Sequence, residues 1–243
     1  MYLNVDLGEE IKPNLEIEDE VMPYIDACNI ACGGHAGNPR IIKDCIYLAK
    51  KHNVLIGAHP SYPDKANFGR KSMIIPDEQL IESLFYQIYL VHKLAEDQNT
   101  EVHHIKFHGA LYNDAARDTD LALLLVNIIK EYDRKCILLA PPNSALSAVA
   151  KSNNIKVHYE IFGDRNYNDD GSLVNRKLKN ALIKNKLDLS IHIQSILKEK
   201  NIKSINHKII SMEMNTMCMH SDHEGAIDNI KLVSKWIKQI NTK

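Results

Sequence analysis

Residues 38–61 read NPRIIKDCIYLAKKHNVLIGAHPS, and the reading of this stretch decides the fold. Asn38 ahead of a first-turn Pro39 caps and opens a helix over Arg40–His52. A β-rich run, Val54–His59, follows at once and ends on a histidine. The same unit recurs on both sides. Strands are predicted at Tyr2–Leu7, Ala27–Ala31, Val54–His59, Val102–Phe107, Cys136–Ala140, Val157–Phe162 and Ser211–Met219. Helices are predicted at Arg40–His52, Asp77–Asp97, Leu121–Tyr132, Ser144–Lys151, Leu189–Glu199 and Glu224–Ile240. Strict alternation implies a parallel sheet, because parallel neighbours need a crossover. About seven units with no break in composition favour a closed or nearly closed β/α barrel, one domain over residues 1–243, above an open doubly wound sheet. The polar insertion Asp164–Lys186 is expected to be a loop or hairpin turning at Asp169-Asp170-Gly171.

Composition narrows the class further. A chain of 243 residues suits one such barrel, and its formal charge of -1 offers no footprint for nucleic acid. The lysine-rich stretches, Arg176 to Lys186 and Lys198 to Lys208, read as solvated helix faces. No apolar run approaches the roughly 20 residues that cross a bilayer. Tyr2-Leu3-Asn4-Val5-Asp6 is a strand with polar punctuation, unlike an export signal. Cys28, Cys32, Cys45, Cys136 and Cys218 are expected to be buried thiols, and the chain to be cytoplasmic.

Barrel enzymes bind substrate where the carboxyl ends of the strands meet. Here those ends are loaded with chemistry. The first strand finishes at Asp6, with Glu9 beyond, and the second carries Asn29 and runs into a Gly-rich turn holding His35. The third ends at His59, with Asp64 and Arg70 following. The fourth ends at Lys106 and His108, followed by Tyr112 and Asn113. Asp164, Arg165 and Tyr167 follow the sixth, and His220 and Asp222 the seventh. The fifth, Leu138-Leu139-Ala140, brings nothing titratable. Buried charge is costly unless paired or used, so this concentration at one rim points to a site. Asp6 has a second reading as a structural ion pair with Lys106, and Asp222 as a cap on the last helix. His52, His92, His103 and His104 read as structural or exposed; His158, His192, His207 and His223 have no supporting constellation.

Cys28-x3-Cys32 beside His35 lacks the second ligand pair of a structural zinc site. A catalytic metal held by Asp6, His35 and His59 is the stronger metal candidate. Phosphate loops of the G-x-x-x-x-G-K-[ST] type, dinucleotide loops and G-x-S-x-G elbows are absent from the sequence.

Several longer blocks carry a resemblance. They include Asn4-Val5-Asp6-Leu7-Gly8-Glu9, Asn29-Ile30-Ala31-Cys32-Gly33-x-His35-Ala36-Gly37 and Ile56-Gly57-Ala58-His59-Pro60-Ser61-Tyr62-Pro63-Asp64. Lys106-x-His108-Gly109-Ala110-Leu111-Tyr112-Asn113, Glu160-x-Phe162-x-Asp164-Arg165-x-Tyr167, Asp170-Gly171-Ser172-Leu173-Val174-x-Arg176 and Cys218-x-His220-x-Asp222 follow in the same order. With these the chain resembles the LamB/YcsF family along essentially its whole length. The resemblance implies a distorted seven-stranded parallel β/α barrel of the glycoside hydrolase/deacetylase type. It also implies ATP-dependent hydrolytic opening of the 5-oxo-L-proline lactam to L-glutamate, with partner subunits PxpB and PxpC and with ATP as a co-substrate of the complex.

On that footing Asp6 with His59 or His108 is the expected base, and Lys106 and Arg165 the expected anion holders. His220 is the expected acid, with Asp164 in the same site. Asn4, Asn29, His35, Tyr112, Tyr167 and Arg176 are the expected substrate contacts. A divalent metal is a candidate cofactor. This chain departs from the family pattern at Gly34, where Phe is common, and at Asn38, where Asp is common. Two other readings stand beside this one: a stand-alone metal-dependent deacetylase or carbohydrate hydrolase, and a non-catalytic substrate-binding subunit.

Overall fold

Side-chain oxygens start two of the predicted helices. The Asn38 carboxamide oxygen accepts from the N–H groups of Arg40 and Ile41 at 3.0 Å each, with Pro39 in the first turn. Asn53, at φ 56, ends that helix in the left-handed conformation. Capping also explains why Asn stands acceptably where Asp is common: either side chain offers the oxygen the helix needs. Ser144 caps the helix after Pro141-Pro142, in a reciprocal box with Ser147.

The computed structural model describes residues 1–9, 15–132, 135–222 and 225–241; His223 and Glu224 lie outside them. The first half runs β1 (Tyr2–Leu7), α1 (Glu16–Val21), β2 (Ala27–Ala31), α2 (Pro39–His52), β3 (Leu55–His59), α3 (Asp77–Glu96) and β4 (His104–Ile105). It continues α4 (Gly109–Ala115), α5 (Thr119–Tyr132), β5 (Ile137–Ala140), α6 (Ala145–Ser152) and β6 (Val157–Phe162). The remainder is α7 (Lys186–Gln194), β7 (Asn201–Lys203), β8 (Ile209–Ser211), β9 (Thr216–Met219) and α8 (Ala226–Asn241). Strands β1-β2-β3-β4-β5-β6-β9 close into a parallel barrel, β9 pairing with both β6 and β1. Closure rules out the open doubly wound alternative.

Three elements differ most from expectation. The fourth strand shrinks to two laddered residues. Beyond the ladder, Lys106 and His108 donate their N–H groups to the carbonyls of Ala58 and Pro60, so the chain still tracks β3. The run Ser211–Met219 splits. Its start belongs to β8, which pairs antiparallel with β7, and the barrel strand begins only at Thr216. Asn215 marks the break, exchanging hydrogen bonds with the backbone of Tyr159 through its own N–H and its side-chain oxygen. Helix α7 starts at Lys186 under an Asn185 cap, and its last turn widens over Ser195–Glu199. The insertion forms the expected hairpin: Tyr167 bridges Leu173 across the 169–171 turn, and Arg165 bridges Leu182.

The helices bury apolar stripes against the outside of the barrel. Ile42, Ile46, Leu84 and Ile88 are fully buried, each worth roughly 1.5–3 kcal/mol. The interior is different. Asn29 donates to Asn4 Oδ1 and Asp6 Oδ1 at 2.7 Å each, Asn4 donates to Thr216 Oγ1 at 2.8 Å, and His104 Nε2 meets Asn29 Oδ1 at 2.7 Å. A Cβ on Gly57 would collide with the His104 ring, so glycine there makes room for it. A layer that barrels commonly fill with Val, Ile and Leu is here a hydrogen-bonded polar platform. Among the described residues no helix is long and apolar enough to cross a membrane, and all five cysteines are buried thiols outside any disulfide.

Candidate active site

Above this platform, at the carboxyl ends of the strands, lies a cavity of about 730 Å³. Asp6, His59, Lys106, His108, Arg165 and His220 line it, as do Tyr112 and Arg176. Asp164 stands behind His220. Asn4 and Asn29 lie beneath in the platform, and His35 lies behind His59 and His108. Tyr167 lines a smaller adjoining cavity and accepts the Phe162 N–H at 2.6 Å. The residues expected in one site therefore divide into a wall and its supports.

The first cluster centres on Lys106. Its ammonium lies 2.8 Å from Asp6 Oδ1, 3.0 Å from Glu160 Oε1 and 3.1 Å from Cys218 Sγ, and the side chain is only 2% exposed. The ion pair with Asp6 therefore exists, and both partners still line the cavity. A lysine already held by two carboxylates has less of its charge left for a substrate anion. Burial would raise the Asp6 carboxyl, but His59 and Lys106 outweigh it and hold Asp6 well below the usual carboxylate range. Burial keeps the Cys218 thiol protonated.

The second cluster centres on Glu9. Its Oε1 lies 3.0 Å from His35 Nε2, 3.2 Å from His108 Nδ1 and 3.9 Å from His59 Nε2. The His35 and His108 rings stack at 3.6 Å, with His59 edge-on to both. Burial pushes His35 down to about 3 and lowers His108 as well, keeping both rings neutral near pH 7. Gly69 packs beside His35 and His108 at φ 61. At Gly34 a side chain would collide with Gln87 and Ser61; Gln87 holds the Ser61 backbone through both its amide atoms at 2.9 Å. That packing leaves no room for the family's Phe in this backbone.

The third group is His220 with Asp164. Asp164 accepts from the His220 backbone N–H at 2.9 Å and faces His220 Nδ1 at 3.0 Å. Burial opposes the charged ring, yet Asp164 outweighs it and raises His220, while His220 brings Asp164 down to about 2. At the mouth, Arg70 and Arg176 share one carboxylate oxygen of Asp222 at 3.0 and 2.9 Å. Asp222, also read as a helix cap, thus bridges two arginines. Arg165 donates to the carbonyls of Val174 and Ala181, so it also pins the hairpin to the rim.

Glu160 and Glu9 carry more of the site than their sequence context suggests. Glu160 is buried beside Lys106, and burial together with the Glu160 charge raises the Tyr112 hydroxyl. The available signal is the two-residue period of a strand: His104, Lys106 and His108 share one face, as do Glu160 and Phe162. Of the metal set expected at Asp6, His35 and His59, Asp6 faces Lys106; Glu9 and His108 complete the group instead, with all donor atoms within 4.8 Å.

Fold and site together define a β/α-barrel hydrolase, its acids, imidazoles and ammonium grouped at the carboxyl rim. The chain belongs to the LamB/YcsF family, whose model matches residues 1–243. It is 36% identical over 242 residues to the 5-oxoprolinase A subunit of Pyrococcus horikoshii, covering 99% of this chain and 95% of that one. To the 5-oxoprolinase A subunit of Campylobacter jejuni it is 38% identical over 238 residues, 98% and 93% of the two chains. The crystal structure of a lactam utilization protein from Thermus thermophilus superposes with a TM-score of 0.91 at 28% identity, covering 99% of this chain and 97% of that one.

Proposed function

We propose that this chain is the A subunit of a 5-oxoprolinase, opening the 5-oxo-L-proline lactam to L-glutamate at the expense of ATP with two partner subunits, PxpB and PxpC. One observation carries this reading: full-length similarity to A subunits of 5-oxoprolinases, with the cavity-lining acid and base residues present. An amide carbonyl is a poor electrophile, and a partner that phosphorylates the lactam oxygen makes the ring carbon open to water.

In this chain Asp6, with His59 beside it, takes the base role toward the attacking water. Its neighbours hold Asp6 ionised, with Oδ2 3.3 Å from His59 Nε2. His220, whose protonated form Asp164 favours, lines the cavity and delivers its proton to the departing nitrogen. Arg165 and the Arg70–Asp222–Arg176 bridge face substrate carboxylate and phosphate, where two guanidiniums share one carboxylate. The decisive experiment measures glutamate release from 5-oxo-L-proline by the purified chain. Release is expected only with both partners and ATP. Release of sugar or acetate by the chain alone would favour the stand-alone hydrolase.

A further inference from the structure

The Glu9 cluster is short of a cation. His59 Nδ1 lies 2.7 Å from the Lys106 carbonyl oxygen, and His108 Nε2 lies 3.0 Å from that of Phe68. A carbonyl only accepts, so these outer nitrogens carry the ring protons. In the neutral form of each ring the inner nitrogens, His59 Nε2 and His108 Nδ1, present lone pairs to each other at 3.0 Å. Glu9 Oε1 joins them as a third acceptor, and Asp6 Oδ2 approaches His59 Nε2 at 3.3 Å. His35 completes the group through Nε2, and its buried Nδ1 has no partner among the described residues. So many acceptors around one point repel unless a positive charge sits among them.

From this geometry we infer a divalent metal site made by Glu9 Oε1, His35 Nε2, His59 Nε2 and His108 Nδ1. The separations of 3.0, 3.0, 3.2 and 3.9 Å bracket the roughly 3.3 Å edge of a tetrahedron with zinc-like bonds of about 2.0–2.1 Å. Three imidazoles and one carboxylate suit zinc and its transition-metal neighbours better than magnesium or calcium, which prefer all-oxygen shells. The backbone carbonyls on the outer nitrogens of His59 and His108 play the part that outer-shell acceptors play at metal-bound histidines, fixing tautomer and ring angle. The neighbouring Asp6, Cys218 and His220 also lie close together, but the Lys106 ammonium already contacts Asp6 and Cys218.

The inference stands apart from the oxoprolinase reading, and so does its test. The metal-stripped full chain, alone, is titrated with Zn²⁺ by calorimetry, and with Co²⁺ by visible absorption. Uptake of one ion per chain is expected, with four-coordinate Co²⁺ bands and shifted ¹⁵N resonances for His35, His59 and His108 but not His220. Glu9→Gln and His108→Ala are expected to weaken binding by more than the roughly 10–100-fold that loss of an outer-shell partner costs. Each variant is first checked by thermal melt, and if His108→Ala does not fold, the near-isosteric Glu9→Gln decides. No uptake, unchanged affinity in Glu9→Gln, or a shift at His220 in place of the three would overturn the site. A linked titration of the three rings without metal uptake would assign the missing charge to a shared proton, and would also overturn it. Zinc binding without glutamate release, or release without zinc binding, separates this inference from the proposed function.

Discussion

Two clusters sit side by side at the top of this barrel, and they solve the problem of buried charge in opposite ways. Around Lys106, two carboxylates meet a cation that the chain supplies itself. Around Glu9, one carboxylate meets three imidazoles, and no lysine or arginine forms an ion pair with it among the described residues. The difference is that the first cluster carries its own cation, whereas the second has no lysine or arginine to balance its carboxylate among the described residues. His59 joins them, contacting Asp6 on one side and His108 on the other.

The comparison can be broken most forcefully at Lys106. Lys106→Met removes the built-in cation and strands Asp6 and Glu160, which should cost roughly 3–5 kcal/mol in urea unfolding. A cost below about 1 kcal/mol would mean that the cluster is wetter and less tightly paired than its geometry says. The Glu9 cluster should respond to added ions instead. Zinc at about 100 times its Kd should stabilise the wild-type chain by roughly 2.7 kcal/mol, read as a rise in Tm, and Glu9→Gln should abolish the rise.

The Asp164–His220 pair sharpens the contrast through pH. Asp164 is lowered from 3.8 to about 2, so its contribution is full above pH 3.8 and lost as pH falls through 2. His220 is raised above 6.5, so its contribution is full below pH 6.5 and lost as pH climbs through the raised value. The stability gap between wild type and Asp164→Asn should therefore peak between about pH 4 and 6.5, at roughly 2 kcal/mol. A flat gap across pH 3–9 would contradict the pairing. Smallest is the cap: Asn38→Ala should cost about 1 kcal/mol in the same melts and leave zinc affinity unchanged.

Much of this architecture is legible in the sequence, for reasons that differ by region. The seven barrel strands are visible because a strand end followed by a capped helix is a local pattern, as at Asn38-Pro39. Helices α1 and α4 are not. Each is a short segment of six or seven residues, too short to show a clear period and held by tertiary packing. The β7–β8 hairpin hides inside a run that merges with the last barrel strand. His59, Lys106, His108 and His220 stand out as strand-end residues, but which of them touch does not. An anion-binding role for Lys106 is a natural expectation because nothing in sequence shows that Asp6 and Glu160 both reach its ammonium. Glu9 gives little signal because it follows its strand by two residues, and only folding brings it to three histidines from three other segments.

The central claim is that this rim performs the ring opening once partner subunits have activated the lactam. It is tested most directly by reconstituting the complex with Asp6→Ala, His59→Ala or His220→Ala and measuring ATP-dependent glutamate release beside complex assembly. The account predicts assembled complexes in which release falls by at least the roughly 100-fold that a general acid or base contributes. Wild-type rates in all three assembled variants would contradict it and leave the chain a binding subunit.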